Sequence, residues 1–270
     1  VFLAGPEGRP WYRDELDDVW RASRWIERSR APAPERSAEL RQAAAALGRF
    51  PGLVAGGEGP EPVMVLPGFH DTRARIAALR ESAGTDREGR MDECRLECER
   101  LLDLADLADR LTDRGLPTRC VHNDAKLDNV LVDETTGEAL CVVDLDTVMP
   151  GLAAHDFGDL IRSAVSGRAE DEPDLETISV REEVFRDLAE GYLEGASSWI
   201  TADERGALVD GAIVLTFEQA VRFLADFLDG DSYFRVDDPA HNLRRARAQH
   251  RLLEDLLARE ADLVSMIARL

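Results

Sequence analysis

Residues 121–146 read VHNDAKLDNVLVDETTGEALCVVDLD, a polar loop followed by two short apolar runs that end in carboxylates. The short apolar run Arg119-Cys120-Val121 enters it as a strand. Val130-Leu131-Val132 and Ala139 to Val143 are two further β-rich runs, and Asp133-Glu134-Thr135-Thr136-Gly137 between them predicts a hairpin. The segment from His122 to Asn129 is therefore a loop held between strands. Asp144 arrives one hairpin after Asn129, and Asp146 shares its face if the strand continues.

This order suits phosphoryl transfer. Such a reaction needs an attacking hydroxyl held in line, an acceptor for its proton, and metal and cations to neutralise the phosphate. Asp124 is placed to take the proton, and Asn129, five residues on, to hold Mg²⁺ by its carbonyl oxygen. Lys126 can neutralise charge on the transferred phosphate. Mg²⁺ is satisfied by one or two carboxylates plus substrate phosphates, so Asn129 and Asp144 complete what the protein must supply. Asp146 is either a further ligand or the partner of a nearby donor.

Asp-x-x-x-x-Asn alone is frequent by chance, and Asp-x-Asp pairs are common on solvated faces. Strand, loop, hairpin and carboxylate in this order are not. A literal Asp156-Phe157-Gly158 lies downstream, but it follows Pro150-Gly151 and precedes a helical pattern, where aspartate is expected as an N-cap. Asp144 is thus preferred as the metal aspartate. Asp156 and Asp159 are expected to fix that helix and brace the loop.

Working outward, Trp11 to Arg13 and Val19 to Ile26 flank the acidic turn Asp14 to Asp18 and predict a hairpin, which Arg28 to Pro34 should break. An alanine-rich helix is expected over Glu35 to Arg49, and a glycine- and proline-rich loop over Pro51 to Pro62. Asp71 or Thr72 should cap a helix reaching about Glu81. His70, just before it, either contacts a ligand or packs beside the helix start. Arg90 to Arg114 predicts one long helix with Leu96, Leu101, Leu104, Leu107 and Leu111 as its buried stripe. Helices follow over 156–162, 182–194 and 212–228, and from about Asn242 to the end, with Thr201-Ala202-Asp203-Glu204 a capping box and Asp229 to His241 a loop.

A net charge of −21 over 270 residues argues against a nucleic-acid partner, which needs a basic surface. No apolar run is long enough to span a bilayer, and the first residues lack a signal-peptide pattern, so the expected location is cytoplasmic. Cys94 and Cys98, four apart, read as reduced thiols rather than a metal pair. The opening at Val1 suggests a chain that begins inside a lobe.

At these residues the chain resembles the aminoglycoside phosphotransferase and choline kinase superfamily, and HNDAKLDNVLVDETTGEALCVVDLDTVMPG followed by HDFGDLIR is most similar to the N-acetylhexosamine kinases. Supporting matches are Pro67 to Thr72, Ala169 to Leu175, Gly230 to Phe234 and His241 to Leu243. The resemblance implies ATP as donor, Mg²⁺ as cofactor, and the anomeric hydroxyl of a small sugar as acceptor. It implies Asp124 as base, Asn129 and Asp144 as metal ligands, and a nucleotide hinge at Ile26-Glu27-Arg28. His70, Asp71, Arg222, Tyr233 and His241 are the candidate sugar contacts, being polar or aromatic groups in family-like patches. Two departures stand out: residues 1–26 hold no glycine-rich phosphate loop or strand lysine, and Ala125 stands where a hydroxyl residue is expected.

The expected architecture is α+β, a two-lobed protein-kinase-like fold. Residues 1–30 are the remnant of an N-terminal lobe and hinge, and 31–270 a mainly helical catalytic lobe. The short distance from Asp144 to the next helix leaves no room for a peptide-holding segment, so a small acceptor is implied. An acidic cleft would also suit a cationic aminoglycoside, and a non-catalytic fragment unable to clamp ATP is the rival outside enzymes.

Overall fold

The computed structural model describes residues 2–57 and 62–270, so the part of the expected 51–62 loop at residues 58–61 lies outside the described residues. The strands are β1 (Tyr12–Arg13), β2 (Val19–Trp20), β3 (Ser29–Arg30), β4 (Arg119–Val121), β5 (Val130–Asp133), β6 (Ala139–Val142) and β7 (Met149–Gly151). The helices are α1 (Ser37–Ala55), α2 (Thr72–Thr85), α3 (Met91–Asp103), α4 (Ala153–Ala164), α5 (Glu182–Ala196), α6 (Ala202–Gly206), α7 (Leu208–Leu228), α8 (His241–Ala258) and α9 (Glu260–Arg269). This is the α+β, mostly helical arrangement the sequence predicts.

The described residues form three small antiparallel sheets, two of which flank the loop after His122. β5 pairs with β6 and also with β3, Ser29 facing Asp133 and Arg30 facing Val132. β4 pairs with β7, Val121 facing Met149. β1 and β2 form the expected hairpin, shorter than predicted. The pairing of β3 corrects the reading of Arg28 to Pro34 as a simple break, and β7 is a strand the sequence pattern did not indicate. Both strands are two or three residues long, below what alternation can reveal.

α7 is the axis of the helical lobe, and α2, α4 and α8 pack around it; α1 packs on α5. Its apolar residues are buried on all sides, as a helix surrounded by helices requires. The core is continuous from Leu40 and Leu47 on α1 through Phe157, Phe185, Tyr192 and Phe217 to Leu253 and Leu256 on α8. The α4–α7 crossing depends on two glycines. A Cβ at Gly158 would overlap the Gly211 carbonyl, and one at Gly211 would overlap that of Ala154, so α4 and α7 meet backbone to backbone.

Three helix ends differ from expectation. α1 continues through Pro51, because that proline is buried and Trp199 Nε1 donates to the Gly48 carbonyl at 2.9 Å, anchoring the turn that the missing N–H weakens. The long 90–114 helix stops at Asp103 and passes into 3-10 turns over Ala105–Asp109 and Thr112–Arg114. Leu96 is exposed, and the break lets Leu107 join the main core while Leu111 packs with Ala154, Val214 and Leu215. The last helix is split at Arg259, whose guanidinium bonds Asp255 and Glu182. In contrast, the Thr201–Glu204 capping box is present as read.

Candidate active site

The loop is built by its backbone before its side chains. Asn123 has a φ of 61°, a left-handed conformation that asparagine tolerates, and this turns the chain sharply out of β4. Asp156, deep in α4, accepts from the His122 amide at 2.9 Å and the Asn123 amide at 2.7 Å. Burial pushes its pKa up to about 6, against the pull of these two amides. Asp156 therefore braces the loop as expected, but it does not cap the helix: α4 starts at Ala153, and Asp156 is inside it. Phe157 fills the core and Gly158 serves the crossing with α7, so structure accounts for all three residues of the Asp-Phe-Gly triplet.

His122 is fully buried and ties the loop to the end of β6. Its Nε2 lies 2.8 Å from the Val143 carbonyl, and its Nδ1 accepts the Asp124 amide at 3.3 Å. Those partners select the neutral tautomer with the proton on Nε2. One ring thus links the backbone of Asp124 to the residue before Asp144.

Asp124, Lys126 and Asn129 come together. Lys126 Nζ is 3.1 Å from Asp124 Oδ2, and Asn129 Nδ2 donates to the same oxygen at 3.0 Å and to the Asp124 carbonyl at 2.7 Å. Burial works against the Lys126 charge, but the Asp124 carboxylate outweighs it and raises the lysine above its usual range. Among the described residues nothing bonds Asp124 Oδ1 or Asn129 Oδ1. One oxygen is open for a hydroxyl and the other for a cation.

Val143 donates to the Asn129 carbonyl at 2.9 Å, and Asp144 follows it at φ 58°, its exposed carboxylate without a partner among the described residues. The chain then leaves the strand through a 3-10 turn, Leu145–Thr147, rather than continuing extended. The premise that placed Asp146 on the face of Asp144 is corrected by that turn, and Asp146 is ion-paired with Arg21. No group of three or more His, Cys, Asp or Glu side chains placed to hold a metal ion by itself is found among the described residues. An amide oxygen and an unpaired carboxylate are hard donors, and they fit a Mg²⁺ that takes its remaining oxygens from phosphate and water.

A cavity of about 380 Å³ opens beside this loop, with Asp124 and Lys126 in its wall. Of the candidate sugar contacts it includes His70, Arg222 and Tyr233. Asp71 instead caps α2, accepting from Ala74 N at 3.0 Å, and lines a neighbouring cavity. His241 is buried at the start of α8, 3.4 Å from Asp171, outside both. The hinge candidates also stand apart. Arg28 binds Glu134 and Thr135 on the β5–β6 turn and the Ile26 carbonyl accepts from Ser29 Oγ, while the Glu27 backbone has no partner among the described residues.

Sequence reasoning missed four residues of this site. Glu218 on α7 is buried and bonds His70 Nδ1 at 2.9 Å and Thr72 Oγ1 at 2.6 Å. Arg162 on α4 binds Asp159 at 2.8 Å and Glu170 at 2.7 Å, and these carboxylates hold it charged against the cost of burial. Arg235 and Arg245 enter from the loop before α8 and from α8 itself. Only Arg162 lies in a quoted motif, as the last residue of HDFGDLIR, and nothing in that motif marks its role. The cavity is also not acidic: Lys126, Arg162, Arg222, Arg235 and Arg245 face Asp124, Asp159 and Glu170.

A loop carrying Asp124, Lys126 and Asn129 between two small sheets, beside a mainly helical bundle, is a protein-kinase-like fold. The chain belongs to the phosphotransferase enzyme family, whose sequence model matches residues 8–197. Its fold is similar to a choline/ethanolamine kinase family protein of Mesorhizobium loti, with a TM-score of 0.58 and 19% identity over 95% of this chain and 76% of that one. It is similar too to an aminoglycoside phosphotransferase of Alicyclobacillus acidocaldarius, with a TM-score of 0.58 and 14% identity over 100% and 77% of the two chains. A spectinomycin phosphotransferase in complex with ADP and spectinomycin matches with a TM-score of 0.53 and 13% identity over 96% and 76%. At these identities the likeness is one of fold. Among the described residues no helix is long and apolar enough to cross a membrane.

Proposed function

We propose that the protein transfers the γ-phosphoryl group of Mg²⁺-ATP to a hydroxyl of a small polar acceptor, the first candidate being the anomeric hydroxyl of an N-acetylhexosamine. The observation that carries this is the open Oδ1 of Asp124 at a cavity wall, its other oxygen held by Lys126 at 3.1 Å and Asn129 at 3.0 Å. Asp124 orients the acceptor hydroxyl and takes its proton. Lys126 stabilises negative charge spreading over the transferred group. Asn129 Oδ1 and Asp144 hold the metal, which supplies charge neutralisation at the phosphates when bound. Asp146 is the weakest of the three metal candidates, because ligation would cost its ion pair with Arg21.

We assign nucleotide contact to the backbone at Ile26-Glu27-Arg28, with Glu27 the residue whose amide and carbonyl have no partner among the described residues. Residues 1–30 then belong to the nucleotide side and 31–270 to the catalytic lobe. The sugar reading is favoured over a cationic aminoglycoside by the cavity's excess of arginine and lysine over carboxylates. The test is ADP release with Mg²⁺-ATP across N-acetylhexosamines, simple amino alcohols and aminoglycosides. Turnover with aminoglycosides alone would sink the sugar assignment, and failure to bind Mg²⁺-ATP would favour a non-catalytic role.

A further inference from the structure

Most cavity charges are neutralised where they stand. Lys126 pairs with Asp124, and Arg162 with Asp159 and Glu170. Three further arginines of the lining are not paired in this way, and Arg222 meets the Glu218 charge from beyond ion-pair distance. Arg222 and Arg235 have no carboxylate within 4.0 Å among the described residues. Arg245 has only Glu170, shared with Arg162 and 3.6 Å away, and its buried Nε finds no hydrogen-bond acceptor.

Arg222 is also held in a defined pose. Its guanidinium carbon lies 5.3, 5.6 and 5.4 Å from the ring centroids of Phe69, Tyr233 and Phe234. Its polar contacts are weak for a full charge: Gln219 Oε1 and Tyr233 Oη, each at 3.3 Å. Aromatic faces hold a guanidinium and exclude water without neutralising it. The cost of such a site is repaid when an anion fills it, and planar carboxylates and phosphates match the guanidinium fork.

Taking the cavity as the acceptor site of the proposed kinase, we propose that the acceptor bears an anionic group, carboxylate or phosphate, which docks on Arg222, Arg235 and Arg245 while its reacting hydroxyl sits at Asp124. The acceptor is then an acidic sugar rather than a neutral one. The arginine wall selects it by charge and the Asp124 end performs the chemistry. Choline-like and aminoglycoside cations are repelled by the same wall.

The test compares N-acetylglucosamine, its uronic acid and its 6-phosphate as acceptors, by ADP release and by calorimetric binding. The expected result is a kcat/KM at least tenfold higher for one of the acidic sugars than for the neutral one. The two acidic arms separate a carboxylate from a phosphate site. In Arg235→Gln and Arg222→Gln the ratio of acidic to neutral kcat/KM should fall at least tenfold; Arg235 is exposed and free of ion pairs, so its variant reads the site without risk to the core. Equal preference for neutral and acidic sugars, or a ratio unmoved by both variants, overturns the anion site while leaving phosphoryl transfer standing. Should no acceptor turn over, the kinase reading fails instead, and acidic-sugar binding weakened tenfold by Arg235→Gln still supports the anion site.

Discussion

His70 and Glu218 form a buried ion pair, Nδ1 to Oε1 at 2.9 Å, and the second ring nitrogen of His70 lies 2.9 Å from the carbonyl of Asn123. Both neighbours are acceptors, so the ring donates twice and carries a charge. Burial opposes that charge, but Glu218 outweighs it and raises the His70 pKa; Glu218 is likewise lowered, with His70 overcoming its burial. The residue before the candidate base is thereby tied to the central helix. His155, its ring centroid 4.7 Å from that of His70, is driven down to about 3 by burial and then by the His70 charge, and stays neutral.

The pair has a pH signature. A histidine with a raised folded pKa contributes its full stabilisation below the unfolded value of about 6.5 and loses it as pH rises through the folded value. Thermal unfolding followed from pH 6 to 9 should show this loss in the unmodified protein. His70→Gln should abolish that dependence and cost about 3–5 kcal/mol by stranding Glu218. An unchanged pH profile in the variant would contradict the charged-pair assignment.

Asp124→Asn should reduce turnover by about 10²–10⁴-fold, the range for loss of a general base. Its melting temperature should stay near that of the unmodified protein, since the side chain is partly exposed. Loss of folding in that variant would mean that the carboxylate is structural.

Asn129→Ala and Asp144→Ala should each raise the Mg²⁺ concentration needed for half-maximal turnover, and chelation should abolish activity. Asp146→Ala should shift the Mg²⁺ requirement less. Titrating activity against free Mg²⁺ in the three variants ranks the ligands directly, and the reverse ranking would move the metal toward Asp146.

Asp156→Asn leaves at most one of the His122 and Asn123 amides with a carbonyl acceptor, a loss of about 1–3 kcal/mol in a buried site. Chemical denaturation measures this, and kcat should fall with it because the loop carries Asp124. Gly158→Ala tests the other role of the triplet. Overlap with the Gly211 backbone should cost about 1–3 kcal/mol with the Asp156 hydrogen bonds still formed.

The region from Arg119 to Asp144 was legible in the sequence because its contacts are local. Adjacent strands pair across a five-residue turn, Asp124 bonds Asn129 and Lys126 within the same loop, and each preference agrees with the next. The capping box at Thr201 and the apolar length of α7 were readable for the same reason. Asp156 was misplaced by three residues within its helix, because an aspartate before a helical pattern looks the same whether it caps the helix or reaches out to another loop.

Sequence alone sufficed for the order of the loop: an aspartate, a lysine and an asparagine within six residues, and a later aspartate one hairpin on. The charge of the cavity beside that loop came from tertiary packing instead. Its wall is assembled from Phe69 and His70 before α2, Arg162 on α4, Arg222 on α7, Arg235 in a loop and Arg245 on α8. A chain with a net charge of −21 nevertheless lines this cavity with more cations than carboxylates. Net charge is a sum over the whole surface, whereas the field a ligand meets is set by the few side chains that packing around α7 brings within reach of it.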